Sequence, residues 1–141
     1  MRWVYDDGGR KAAGRKGEAR DCVVRAVAIA AELPYREVYD ALNECAKAER
    51  PKPGRKRSSA RLGVSKRTLK RFMRQLGWVW TPTMRVGSGC RIHLRDDELP
   101  KGRLVASLSR HVVAVIDGVI HDTHDPHRDG YRCVYGFWEK G

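Results

Sequence analysis

Apolar positions in this chain fall first into helical and then into strand spacing. Residues 22–33, CVVRAVAIAAEL, are apolar nearly all round, interrupted only by Arg25 and Glu32, which predicts a central, buried helix. Asp21 stands directly before it in the N-cap position. Pro34 opens a second helix, PYREVYDALNECAKAE, with Leu33, Val38, Leu42 and Cys45 as its apolar stripe. Residues 65–76, SKRTLKRFMRQL, predict a third, capped by Ser65. After Gly77 the period changes. WVWTPTMRV, GCRIHLR, GRLVASLS, HVVAVI, VIHDT and YRCVYGFW are short, rich in β-branched and aromatic residues, and separated by turn signals. Helices followed by a run of strands imply an α+β fold on an antiparallel sheet. The Gly-rich, charged segment 5–20 and the Pro/Gly-broken RPKPGRKRSSARLG read as loops.

The clearest local signal is HVVAVI-DG-VIHDTH. Asp117-Gly118 between two apolar runs predicts a type I′ hairpin turn, and that turn sets the register. Ile116 then faces Val119, Val115 faces Ile120, Ala114 faces His121, Val113 faces Asp122, and His111 faces His124. Alternation puts His111 and Asp122 on one face as diagonal neighbours, within reach of each other. A histidine beside a carboxylate is how a general base is held in one tautomer.

Composition narrows the class. The chain has 141 residues, enough for one domain with a real core, and no apolar run of transmembrane length. The N-terminal MRWVYDDGGRK lacks the apolar stretch of a signal peptide, so a cytosolic protein without membrane association is expected. The cysteines at 22, 45, 90 and 133 are then expected as reduced thiols. None shares CxxC spacing. His121, His124, His127 and Cys133 form no metal motif, and His121 and His124 should point to opposite faces, so neither metal nor other cofactor is expected.

The net charge of +12 is concentrated: residues 51–95 hold thirteen Lys/Arg and no Asp or Glu, while the rest of the chain nets −1. A basic helical insertion at about 50–76 is therefore expected to meet nucleic acid or an acidic protein, through Arg55, Lys56, Arg57, Lys66, Arg67, Lys70, Arg71 and Arg74. Residues 58–78 also look like the second half of a helix-turn-helix, but RPKPGRKR ahead of them is a poor first helix.

Cys22 is the candidate nucleophile. Taken alone it reads as a small buried thiol. It stands, however, at the first position of a helix, where N–H groups and the helix dipole favour an anion, and the His/Asp hairpin can supply an imidazolium. Asp21 opposes the thiolate unless it is occupied with capping the helix. Cys90, with His93 close by, is the rival, but its strand-like surroundings lack the dipole.

DCVVRAVA, then LPKGRLVASLSRHVVAV and a following Asp, resemble the papain-like cysteine peptidases. The bacterial and phage branches are most similar, including the leader-cleaving peptidases of bacteriocin exporters, and the chain also looks like small phage proteins, which implies the cytoplasm of a bacterium or phage-infected host. The resemblance spans about a third of the chain. It implies a single papain-like domain, a central N-terminal helix on an antiparallel sheet. It further implies a Cys22–His111–Asp122 triad and a cysteine hydrolase, peptidase or isopeptidase-like, acting on a peptide or protein by acyl transfer. Asp125, in Asp-Pro, is the competing third member. The family's oxyanion glutamine, six residues before the cysteine, is Lys16 here. The other reading is a basic nucleic-acid-binding module on a papain-like scaffold that need not be active.

Overall fold

The structure is a computed structural model that describes residues 1–15, 20–50, 52–54 and 56–141. Lys16 and Arg55 lie outside the described residues. Three helices precede most of the strands: α1 (Cys22–Ala31), α2 (Tyr35–Ala46) and α3 (Lys66–Gln75). The strands are β1 (Arg2–Tyr5), β2 (Trp78–Pro82), β3 (Ile92–His93), β4 (Arg103–Leu108), β5 (His111–Ile116), β6 (Val119–Asp122), β7 (Cys133–Val134) and β8 (Gly136–Lys140). Six of them form one sheet in the order β1-β6-β5-β4-β8-β2, and β3 pairs with β7 in a second, small sheet.

The sheet is mixed rather than antiparallel. β1 runs parallel to β6, from Arg2 beside Val119 to Tyr5 beside Asp122, while every other pairing in the sheet is antiparallel. RWVY is too short and too polar to announce itself, and most of it is exposed. Its order comes from the edge of β6, which supplies the hydrogen-bond partners a four-residue segment cannot make alone.

Both faces of the central strands are buried. Val105 and Ala114 pack with α1, α2 and α3, while Leu104, Ala106, Val113, Val115 and Ile120 pack on the far side with Leu94, Leu99, Val134 and Phe137. This explains the near-continuous apolar runs of β4 and β5, since alternation marks only a sheet with one wet face. The core faces of α1 and α2 include Val24, Val27, Val38 and Leu42, all essentially inaccessible. Cys45, expected on that stripe, is only half-buried.

Three local expectations meet different outcomes. The β5–β6 hairpin has the expected register of Ile116–Val119, Val115–Ile120 and Ala114–His121, with positive φ at both Asp117 and Gly118 as a type I′ turn requires. Ser65 caps α3, accepting from the Thr68 N–H at 3.2 Å. YRCVYGFW, expected as one strand, is divided at Tyr135 between the two sheets. Tyr135 N–H donates to the Ser107 carbonyl and Thr83 N–H to the Tyr135 carbonyl, which locks the crossover.

The cysteines depart from expectation. Cys90 and Cys133 form a disulfide, leaving Cys22 and Cys45 as the free thiols. Pairing of β3 with β7 sets His93 opposite Cys133 and brings the Cα atoms of Cys90 and Cys133 to 5.8 Å, within bonding range. An inference from compartment alone could not see this proximity. Among the described residues no helix is long and apolar enough to cross a membrane.

Candidate active site

β5 begins at His111 and β6 ends at Asp122, so the two residues share one end of the sheet. His111 Nε2 lies 2.6 Å from Asp122 Oδ2. The first turn of α1 packs against β5 at the same end, and there the His111 ring and the Val112 N–H act on the Cys22 thiol. With Nε2 engaged by Asp122, Nδ1 is the ring nitrogen left for the thiol. Cys22, His111 and Asp122, far apart in sequence, thus gather at one end of the sheet, with His111 hydrogen-bonded to Asp122.

The protonation states follow from this geometry. Burial pushes the Cys22 thiol up, but the His111 hydrogen bond and charge, the Val112 N–H and the Arg25 charge outweigh it and hold the pKa below its ordinary value. Burial alone would lower His111; its bonds to Asp122 and Cys22 instead raise it to about 9. Burial likewise pushes Asp122 up, and the His111 contact, the Thr123 N–H and Arg25 bring it below the usual carboxylate range. The set favours a thiolate, an imidazolium and a carboxylate.

Asp21 does not act as a side-chain cap. Its carboxylate accepts hydrogen bonds from Arg25 Nε at 3.0 Å and the Tyr35 hydroxyl at 2.6 Å, and forms an ion pair with Arg10, whose Nε lies 3.2 Å away. The negative charge beside Cys22 is thereby neutralised by two guanidiniums, a different solution from the capping bond that was expected. The Tyr35 hydroxyl, desolvated and donating to Asp21, is held strongly in its protonated form.

Arg25 is the functional residue that pattern reading passed over. It appeared only as a polar interruption of an apolar helix, yet it is 9% exposed and spans two buried carboxylates. Nε holds Asp21, while Nη1 holds Asp122 Oδ1 at 2.9 Å and Thr123 Oγ1 at 2.7 Å. A charged side chain in the middle of a buried helical run was itself the signal, because such a group must be paired. β1 adds a second restraint that the sequence concealed. The Asp122 carbonyl accepts from Asp6 N–H at 2.9 Å and from the Trp3 indole at 3.2 Å. The turn after β1 packs directly on α1: Gly8 has φ +68°, and a Cβ there would lie 3.1 Å from the Arg25 backbone.

Asp125 points elsewhere, accepting from the backbone N–H and ring of His127. The histidines considered for a metal are dispersed: His121 pairs with Asp6 at 3.6 Å, His127 with Asp125, and Cys133 is in the disulfide. A different trio, His111, Asp122 and His124, has ligand-type atoms within 4.8 Å of one another. The His111 and His124 rings are 5.0 Å apart. Both Asp122 oxygens already accept charged or backbone donors, Arg25 among them, which makes this trio a poor cation site. The disulfide removes Cys90 as a rival nucleophile.

The basic residues gather away from this site. Lys66, Arg67, Lys70, Arg71 and Arg74 lie exposed along α3, which packs against α2 and β2. Lys56 and Arg57 are exposed in the preceding loop. α2 ends at Ala46 and α3 starts at Lys66, and no helix precedes α3 at a short turn's distance among the described residues, so a helix-turn-helix is not formed.

No protein-family model, curated protein or solved structure matches the chain.

Proposed function

We propose that the chain is a cysteine hydrolase of papain-like type, acting by acyl transfer on an amide or isopeptide bond of a peptide or protein. The observation that carries this reading is a single imidazole, His111, hydrogen-bonded to Asp122 through Nε2 and acting on the Cys22 thiol at the start of α1. A structural thiol needs no such partner. A nucleophile needs a base, and the base needs something to orient it.

In the proposed reaction the Cys22 thiolate attacks the scissile carbonyl carbon, and the carbonyl π electrons move to oxygen. The oxyanion meets the N–H groups at the start of α1, which the Asp21 carboxylate does not occupy. Collapse of the tetrahedral adduct breaks the C–N bond as His111 gives its proton to the leaving nitrogen, and Cys22 retains the acyl group as a thioester. A water molecule then loses a proton to His111 and attacks the thioester; the acid leaves and the thiolate–imidazolium pair returns. Asp122 keeps the ring oriented and stabilises its positive charge throughout, without taking the proton.

The test is labelling of the native protein with a thiol-directed, activity-based probe, followed by peptide mapping. Modification centred on Cys22 and abolished in His111→Ala supports the reading. An inert Cys22, or labelling indifferent to His111, overturns it.

A further inference from the structure

We infer that the exposed face of α3 is a nucleic-acid binding surface, reading the phosphodiester backbone of a duplex rather than its base sequence. Lys66, Lys70 and Arg74 follow one another at i, i+4 spacing, with Arg67 and Arg71 in a parallel row. Four residues of helix advance about 6 Å, so each row presents cations at intervals suited to successive phosphates. Like charges at this spacing destabilise a helix, and natural surfaces normally relieve them with an intervening acid.

No acid within α3 relieves them. Some exposed cations elsewhere find carboxylates, as Lys47 does with Glu44, Arg95 with Glu98 and Arg103 with Glu32, and what distinguishes α3 is five cations on one face of a helix that contains no acid. Among the described residues, Arg67, Lys70, Arg71 and Arg74 have no ion-pair partner. Glu49, whose carboxylate reaches the start of α3, is occupied there by the Ser58 N–H and the Ser65 and Thr68 hydroxyls. Lys66 and Arg67 moreover stand at the positive end of the helix dipole, which adds to the field instead of cancelling it.

The composition of the face selects among anionic partners. Leu69, Phe72 and Met73 all turn inward to the core, so α3 itself offers no apolar or aromatic side chain outward, and the ring beside its cations is Tyr135, 5.7 Å from Lys66 Nζ. A protein interface draws its affinity from an apolar or aromatic centre. Binding to phosphates requires none, since release of condensed counterions supplies the driving force. Three of the five cations are arginines, whose planar fork matches a phosphate. The surface uses none of the groups assigned to the thiol chemistry, so the two proposals stand or fall separately.

The experiment measures binding of the full chain to a 20-base-pair DNA duplex of arbitrary sequence by fluorescence anisotropy across a salt series. Poly-glutamate of similar length serves as the competing acidic polymer. If all five cations meet phosphates, the logarithm of affinity should fall with the logarithm of salt at a slope near −4.5, about −0.9 per contact. Replacing Arg67, Lys70, Arg71 and Arg74 together by Ala should reduce that slope to about −1 and weaken binding at least 100-fold at low salt. These side chains are exposed, and an unchanged melting temperature confirms that the variant is folded. No binding at low salt, or an unchanged slope in the variant, overturns the proposal. Poly-glutamate that displaces the duplex at equal charge concentration also overturns it, in favour of an acidic protein.

Discussion

Arg25 of α1 and Asp122 of β6 meet at 2.9 Å, across 97 positions of sequence, and the same guanidinium holds Asp21 one helical turn behind. This buried bridge ties the element that carries Cys22 to the element that orients His111. Arg25→Met should therefore act twice. It leaves two buried carboxylates without their shared cation, a loss of roughly 3–5 kcal/mol by analogy with other broken buried pairs. It also frees Asp122 to rotate. Arg25→Lys retains charge but lacks the geometry to serve both carboxylates, so it should recover part of the stability and little of the Cys22 reactivity. Urea denaturation and alkylation rates measured on the same variants separate the two effects. Full reactivity in Arg25→Lys would show that the bridge is structural only.

The choice between Asp122 and Asp125 follows from the hairpin register. Asp122→Asn should lower the rate of Cys22 acylation by about 100- to 10,000-fold, since an amide can present the wrong hydrogen-bonding group to His111 Nε2. Asp125→Asn should leave it within a fewfold, because Asp125 is bonded to His127 and not to His111. Pre-steady-state labelling of both variants with one probe checks the ranking, and the reverse order would refute the register.

The Cys90–Cys133 disulfide closes a loop with a sequence separation of 43. Chain-entropy reasoning assigns such a closure about 4 kcal/mol. Reduction with dithiothreitol should lower the melting temperature by several degrees while leaving the pH dependence of Cys22 alkylation unchanged, because the bridge ties the small sheet and not the α1 end of the central one. A Cys90→Ser variant gives the same comparison without reductant. A shift in the Cys22 profile would mean that the two regions are coupled.

Legibility in the sequence divided along physical lines. Where local chemistry sets the structure, the pattern was sufficient: Asp117-Gly118 sets its turn, Ser65 its cap, and the buried run after Asp21 its helix. From these alone the proximity of His111 and Asp122 could be deduced, since hairpin register is local information. What remained hidden depends on partners distant in sequence. β1 is ordered by the edge of β6, the disulfide by the β3–β7 pairing, and the role of Arg25 by Asp122. Asp21 was read as a cap because that assignment needs only its neighbours. Its actual partners include Arg10 and Tyr35, which no local rule brings to it. The mixed sheet follows from the same blindness, for an antiparallel order holds among the strands the pattern revealed.

The coupled ionisations of Cys22 and His111 should appear in the pH profile of labelling or turnover. The competent form has the thiol ionised and the imidazole protonated. Activity should rise as Cys22 loses its proton, at a pH below the ordinary 9.0 of a free thiol, and fall as His111 loses its own at about 9. The limbs belong to the pair, so each should move when either partner is changed. Stability carries the same signature with a definite sign. His111 has a folded pKa raised from 6.5 to about 9, so its contribution is complete below pH 6.5 and is lost as pH rises through 9. Asp122 is depressed, so its contribution is complete above 3.8 and is lost as pH falls through its folded value. Melting temperatures of the wild type and His111→Ala should therefore differ most below pH 6.5, while Asp122 is still ionised, and converge as pH rises above 9. Iodoacetamide kinetics over the same range should show Cys22 far more reactive than Cys45 at pH 7, and His111→Ala should return its apparent pKa to 8 or above. A gap in melting temperature that persists above pH 10, together with a Cys22 profile indifferent to His111, would show that burial and packing, rather than the ion pair, hold these residues together.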